Sequence, residues 1–298
     1  MTSLKNSRGK AMDYSEYAGE GCTVKEYHFA VSDGVALKII DFIPKRDNDR
    51  RPVILFVAGW ISAISGWTGV IKTLSAEYRT IYLETREKRS SIVPRNRRVG
   101  FAMDRLAADI REAVEKLVPG RREFVMAGSS LGASAILEYL AQPGRKPLCA
   151  ILVGPNAEFR FPRFLGYVIP AFPPSFYLVL KPVVKWYLRN FRLDKKNEQE
   201  QVKKYESTLD AADPYKLKYN AIAIRNYSIW HVLPEVKTPV LIIGAALDKL
   251  HGNEALNKMV GLLPRAGYRE LASNKETHSE KAGELIIDFI VKRDYMEL

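Results

Sequence analysis

Phe124-Val-Met-Ala-Gly-Ser-Ser-Leu-Gly132 is the stretch on which the fold turns. Its first four residues form an apolar run of the kind a strand shows when helices cover both its faces. The residues that follow, Leu131 to Ala141, are rich in Ala and Leu and read as a helix. Between the two, Gly128-Ser129-Ser130-Leu131-Gly132 has to reverse direction within a few residues. A serine held on such a strand-to-helix turn, with strained φ/ψ, leaves room only for small residues two before and two after it. Gly128 and Gly132 supply them for Ser130, whereas Ser129 would be flanked at the same spacing by Ala127 and Leu131. Ser130 is therefore the candidate nucleophile.

Outward from this stretch, Pro52 to Ala58, Thr80 to Glu84, Ala150 to Val153 and Val240 to Ile243 repeat the buried-strand character. Met103 to Leu117 places Leu106, Ile110, Val114 and Leu117 at helical spacing. Strands alternating with helices predict an α/β fold with a mostly parallel, doubly wound sheet. Glu26 to Val31 and Val35 to Ile43, around Ser32-Asp33-Gly34, predict an antiparallel hairpin before it. Residues 1–22 are polar and small and read as a flexible N-terminal arm. The alternation breaks between Asn156 and Lys237, too long a gap for a structureless loop in a compact domain. The expected organisation is thus a core of residues 23–156 and 238–298 with an inserted helical cap over 157–237.

A serine hydroxyl is a weak nucleophile near neutral pH and needs a general base and a group to orient that base. Asp248 falls just past the strand Val240 to Ile243, at the carboxyl end where open parallel sheets build their sites. His278 follows the strand-like Tyr268 to Ala272 and precedes the helical Glu280 to Lys292. Plainer roles exist for both: Asp248 as a helix-start residue near Asn253, His278 as a capping or solvated side chain. The other histidines, His28, His231 and His251, fit less well by position. A tetrahedral intermediate also needs backbone N–H donors. Leu131, directly after the nucleophile, is one candidate, and Trp60 in Ala58-Gly59-Trp60 is the other. No ligand cluster with metal spacing is visible, so neither metal nor cofactor is expected.

The net charge of +12 could attract nucleic acid, anionic lipid or acidic substrates. The Lys and Arg residues are dispersed among acids without a long basic run, which argues against nucleic acid. Cys22 and Cys149 lie far apart, and Cys149 sits in an apolar run, as a buried thiol would. No apolar signal region follows the first basic residues, and Phe164 to Leu180 is short and broken by Pro170, Pro173 and Pro174. The expectation is a cytoplasmic protein without a transmembrane helix.

With these residues in place, the chain resembles the α/β-hydrolase superfamily from Pro52 to Lys292. In that family the acid follows the serine and the histidine comes last, which implies Asp248 as the orienting acid and His278 as the base. Two places depart from the family pattern. Ala58 stands where a histidine commonly precedes the oxyanion glycine, and Glu87-Lys88, within Glu84-Thr-Arg-Glu-Lys-Arg-Ser-Ser91, stands for Gly-His. A serine in the turn, rather than aspartate, argues against the carboxylate-nucleophile branches, haloalkane dehalogenases and epoxide hydrolases. The insertion falls where cap-bearing esterases, lipases and monoacylglycerol lipases carry theirs. It holds 14 Lys/Arg against 8 Asp/Glu and is aromatic in its first half, with Phe161, Phe164 and Tyr167 as candidate substrate contacts. The resemblance implies a serine hydrolase acting on small-molecule or lipid esters with an apolar acyl group. An acyltransferase or thioesterase would use the same triad, and a ligand-binding receptor on this scaffold is the third reading. The basic, aromatic cap also suits peripheral contact with an anionic membrane, or simple packing on the core with solvated lysines.

Overall fold

The computed structural model describes residues 12–48, 50–95, 99–159, 166, 169–187, 190, 199–246 and 253–292. Strands β1 (Thr23–Ala30) and β2 (Ala36–Ile43) form the expected antiparallel hairpin. They are followed by β3 (Val53–Val57), helix α1 (Thr68–Glu77), β4 (Thr80–Glu84) and α2 (Met103–Leu117). Next come β5 (Phe124–Ser129), α3 (Ser130–Ala141) and β6 (Ala150–Val153). The segment between β6 and β7 contributes α4 (Phe176–Tyr187), α5 (Gln199–Ala211) and α6 (Pro214–Ile224). The chain then returns as β7 (Val240–Ala245), α7 (Asn253–Leu262), β8 (Ala266–Leu271) and α8 (Glu280–Lys292).

One sheet of eight strands results, in the order β1-β2-β4-β3-β5-β6-β7-β8. From β4 to β8 every pairing is parallel, while β2 meets β4 antiparallel. The two faces follow the period-2 alternation of the strands. On β3, Val53, Leu55 and Val57 join the cluster under α2, α3 and α7, while Ile54 and Phe56 join the one under α1 and α8. All five are fully buried, which explains the unbroken apolar run. Each such side chain contributes about 1.5–3 kcal/mol on burial.

The loose arm expected over 1–22 does not extend to residues 12–22. Tyr14–Tyr17 form a 3-10 turn started by Asp13, Tyr17 is buried, and the Gly19 amide donates to Ser75 Oγ at 2.8 Å. Two tyrosines in an otherwise polar stretch are enough to dock it on α1.

In the inserted segment, α6 starts on Asp213, whose side chain accepts from the Tyr215 and Lys216 amides, with Pro214 in the first turn. Its buried residues, Lys216, Leu217, Asn220, Ala221 and Ile224, recur at helical spacing and face the core. Asn220 Nδ2 donates to the Phe101 carbonyl at 2.9 Å. This helix fixes the insertion to the sheet domain.

Candidate active site

Strand β5 ends on Ser129, still extended at φ −131° and ψ 146°, and the next residue, Ser130, begins α3 with φ +46°. A left-handed backbone at a residue with a Cβ costs about 1–3 kcal/mol and persists only where its surroundings enforce it. Here the enforcement comes from β3. Val57 pairs with Gly128, and a Cβ on Gly128 would lie 2.8 Å from the Val57 carbonyl oxygen. A Cβ on Gly132 would overlap that same carbonyl and lie 2.6 Å from the Ala58 oxygen. The spacing that singled out Ser130 in sequence thus corresponds to backbone pressed against backbone.

β3 leads into a tight turn, Gly59 to Ser62, closed by the Ser62 amide donating to the Gly59 carbonyl at 3.1 Å. Ile61 within it has φ +47°. Among the described residues, Ile61 and Ser130 are the two non-glycine residues with positive φ. The turn abuts the serine: a Cβ on Gly59 would be 3.4 Å from Ser130 Cβ and 3.0 Å from Ser129 Oγ. Trp60 belongs to this turn and is partly buried, while Leu131 is fully buried in the first turn of α3.

His278 closes the 3-10 turn Glu276–His278 beyond β8. Its Nδ1 lies 2.8 Å from the Asn274 carbonyl oxygen and 3.0 Å from Thr277 Oγ1. A carbonyl only accepts, so this contact calls for a proton on Nδ1, which in the neutral ring leaves Nε2 as the accepting nitrogen. The imidazole rests on Trp67, with ring centroids 4.0 Å apart, and Trp67 packs in turn on Phe56 at 5.0 Å. Trp67 Nε1 donates to Ser62 Oγ at 3.1 Å.

The segment after β4 is polar and buried. Arg86, fully inaccessible, makes a bidentate pair with Asp109 at 2.7 and 2.6 Å and also reaches Asp33 at 2.7 Å. Glu87 and Lys88, the departures from the family pattern, are also buried and lie behind the Gly59–Ser62 turn. Lys88 Nζ donates to the Ser62 carbonyl. Glu87 Oε1 accepts from Thr85 Oγ1 at 2.6 Å, and Oε2 has no hydrogen-bond partner among the described residues. Burial pushes the Glu87 carboxyl up, against the opposing charge of Lys88 and the nearby Ile61 amide, and burial pulls the Lys88 ammonium down.

Of the residues singled out in sequence, Gly128, Ser130, Leu131 and Gly132 share the β5–α3 turn, Trp60 stands in the adjoining turn, and His278 lies at the same carboxyl edge of the sheet. Asp248, Phe161, Phe164 and Tyr167 lie outside the described residues. Sequence reasoning missed Asn156, past the end of β6, whose Nδ2 donates to Ser130 Oγ at 3.3 Å. Its main chain is held by Ser134 Oγ, which donates to the Asn156 carbonyl at 2.8 Å and accepts from its amide at 3.0 Å. Asn274 was missed too, because it acts through a carbonyl every residue possesses. Among the described residues no group of three or more His, Cys, Asp or Glu is placed to hold a metal ion.

This geometry, a strained serine between a buried strand and a helix at the carboxyl edge of a mostly parallel sheet, defines a class. The family model described as "alpha/beta hydrolase fold" matches residues 52–282, and the chain belongs to that family. Solved structures with the same fold include a hydrolase from Pseudomonas aeruginosa, 17% identical with a TM-score of 0.74, covering 89% of this chain and 98% of that one. An enol-lactonase from Burkholderia xenovorans is 18% identical with a TM-score of 0.73, covering 89% and 100%. A thermophilic esterase from Thermogutta terrifontis is 17% identical with a TM-score of 0.69, covering 91% and 98%. No curated protein matches the chain by sequence. Among the described residues no helix is long and apolar enough to cross a membrane.

Proposed function

We propose that this hydrolase-fold protein is a serine hydrolase that cleaves carboxylic esters with an apolar acyl group through an acyl-enzyme. The observation that carries the reading is the backbone of Ser130, held at φ +46° beside the Gly59–Ser62 turn. Ser130 Oγ attacks the acyl carbon while His278 Nε2 takes its proton, and the oxyanion forms against the Leu131 and Trp60 amides. The imidazolium returns the proton to the departing alcohol. Water, activated by the same nitrogen, then releases the acid and restores the serine. Asp248 serves as the acid that steadies the imidazolium, with the Asn274 carbonyl supporting the tautomer at Nδ1.

The decisive experiment combines a fluorophosphonate probe with p-nitrophenyl esters of increasing chain length. The wild type is expected to label and turn over, and Ser130→Ala to lose about 10⁴-fold or more in kcat while remaining folded. A wild type that neither labels nor hydrolyses any ester, or an active Ser130→Ala, refutes the reading.

The residues 157–237 act in this reading as a cap, and we propose that α4 brings it to anionic membrane surfaces. Leu178, Val179, Val183 and Trp186 are all more than half exposed and fall on one side of the helix. The segment's excess of six positive charges opposes self-association through this face and favours an anionic partner.

A further inference from the structure

The polar segment that departs from the family pattern has a second attachment. Lys216, buried on α6 of the insertion, donates through Nζ to the Lys88 carbonyl at 2.7 Å and also to the Ser91 carbonyl. Lys88 in turn donates from its own ammonium to the Ser62 carbonyl. Ser62 closes the turn on Gly59 and receives the Trp67 indole N–H. A continuous line of donors therefore runs from the insertion, through residues 88–91, to the turn beside Ser130.

We infer that Lys88 is a positioning residue for the Gly59–Ser62 turn, and that Lys216 ties the placement of the insertion to the placement of that turn. This rests on the hydrolase reading above for its catalytic consequence. The turn needs holding because Ile61 is left-handed there, and a β-branched residue in that region relaxes unless its neighbours oppose it. The Ser62 closure and the Lys88 bond bracket Ile61 on its C-terminal side, and Glu87 faces its amide. A buried ammonium is a costly anchor, and the charges of Glu84 and Glu87 together with its bond to a main-chain carbonyl of this turn offset that cost. Neither lysine touches the reacting atoms. Their effect passes through the Trp60 amide, whose aim at the oxyanion depends on the turn.

Two substitutions test this in the full-length chain: Lys88→Met and Lys216→Met, which keep most of each stem and remove the ammonium. Hydrogen exchange of peptides spanning residues 59–67 is the primary readout, because it needs no catalysis. Both variants are expected to exchange faster there than the wild type, and Lys216→Met also across 85–91. In steady state, Lys88→Met is expected to lose about 10²-fold in kcat, with KM changed no more than roughly threefold, as for a lost transition-state donor. Native-like circular dichroism with unchanged exchange at 59–67 in Lys88→Met overturns the positioning role. Unchanged exchange there in Lys216→Met overturns the link to the insertion. If Lys88→Met fails to fold, unchanged exchange at 59–67 in Lys216→Met overturns the proposal as a whole. A wild type that hydrolyses no ester refutes the function proposed above, while the exchange measurement still decides this one.

Discussion

Trp67 touches both halves of the candidate machinery: its indole ring lies 4.0 Å from the His278 ring, centroid to centroid, and its Nε1–H donates to Ser62 Oγ at 3.1 Å. The proposed base and the turn proposed to offer the second oxyanion donor are thereby referred to one side chain. Trp67→Phe keeps an aromatic face for His278 and deletes the bond to Ser62. Misplacing a catalytic group by about 1 Å costs on the order of 10²-fold. We expect kcat to fall by about tenfold with KM little changed, read from nitrophenyl ester kinetics; an unaltered kcat would show that the indole N–H plays no part.

Gly132→Ala should be intolerable for a steric reason, since its Cβ would overlap the Val57 carbonyl at the centre of the sheet. The loss is expected to reach at least about 3 kcal/mol, or to prevent folding. Gly120→Ala is the control, because its Cβ would meet nothing within 4 Å. Chemical denaturation of both variants gives the comparison, and a Gly132→Ala protein as stable as the control would contradict the close packing of β3 on the elbow.

Arg86 is predicted to be a keystone of stability rather than of chemistry. Its replacement by Ala leaves Asp109 buried beside no guanidinium from β4's end, and breaking a buried pair from one side costs about 3–5 kcal/mol. Urea unfolding of Arg86→Ala measures this. A loss below about 1 kcal/mol would mean that Arg105, which also reaches Asp109 at 2.7 Å, compensates fully.

The same network sets an acid limit. Burial alone would raise the Asp33 carboxyl, but its hydrogen bonds to Arg86 and that group's charge more than reverse this and hold it below its ordinary value of 3.8. Glu112, likewise pushed up by burial and brought down further by Arg105 and Ser32, sits below 4.5. A carboxyl whose folded pKa is depressed adds stability above its unfolded pKa and loses that stability as pH falls through the folded one. Thermal melts should therefore show Tm dropping as pH decreases below about 4. Asp33→Asn should melt lower than the wild type at neutral pH and lose less on acidification; parallel curves for the two proteins would exclude Asp33 from the acid transition.

For the cap, co-sedimentation with anionic vesicles is expected at low salt and should weaken as salt rises. Leu178→Asp and Val183→Asp, each on the exposed face of α4, should abolish it without altering hydrolysis of a short soluble ester. Failure of the wild type to bind anionic vesicles at low salt would remove the membrane proposal.

The central sheet was legible because its parallel strands are covered on both sides. Val53 to Val57 and Ala150 to Val153 therefore carry an apolar side chain at every position, and Met103 to Leu117 keeps a clean helical stripe. Strand order was not legible: β4 lies between β2 and β3, a crossing that local patterns do not encode. The elbow could be read because close backbone approach demands glycine. Glu87 and Lys88 stood out only as departures from the family pattern, and their burial, like that of Lys216, could not be read, since charged residues are ordinarily solvated and their burial depends on partners remote in sequence. One signal was present in retrospect: Thr85, Arg86, Glu87 and Lys88 are four consecutive polar residues directly at the carboxyl end of a buried strand, where sites are built.

Ile61, in the Gly59–Ser62 turn, and Ser130, which that turn abuts, both carry left-handed backbones. A selection for heat resistance alone would therefore find its cheapest gains there, since Ile61→Asn or Ile61→Gly relieves a conformational penalty that no isoleucine escapes. Such variants would melt later and work worse. On the proposed function, the strained pair marks where stability is given up for geometry, and where any effort to harden the protein should leave the sequence alone.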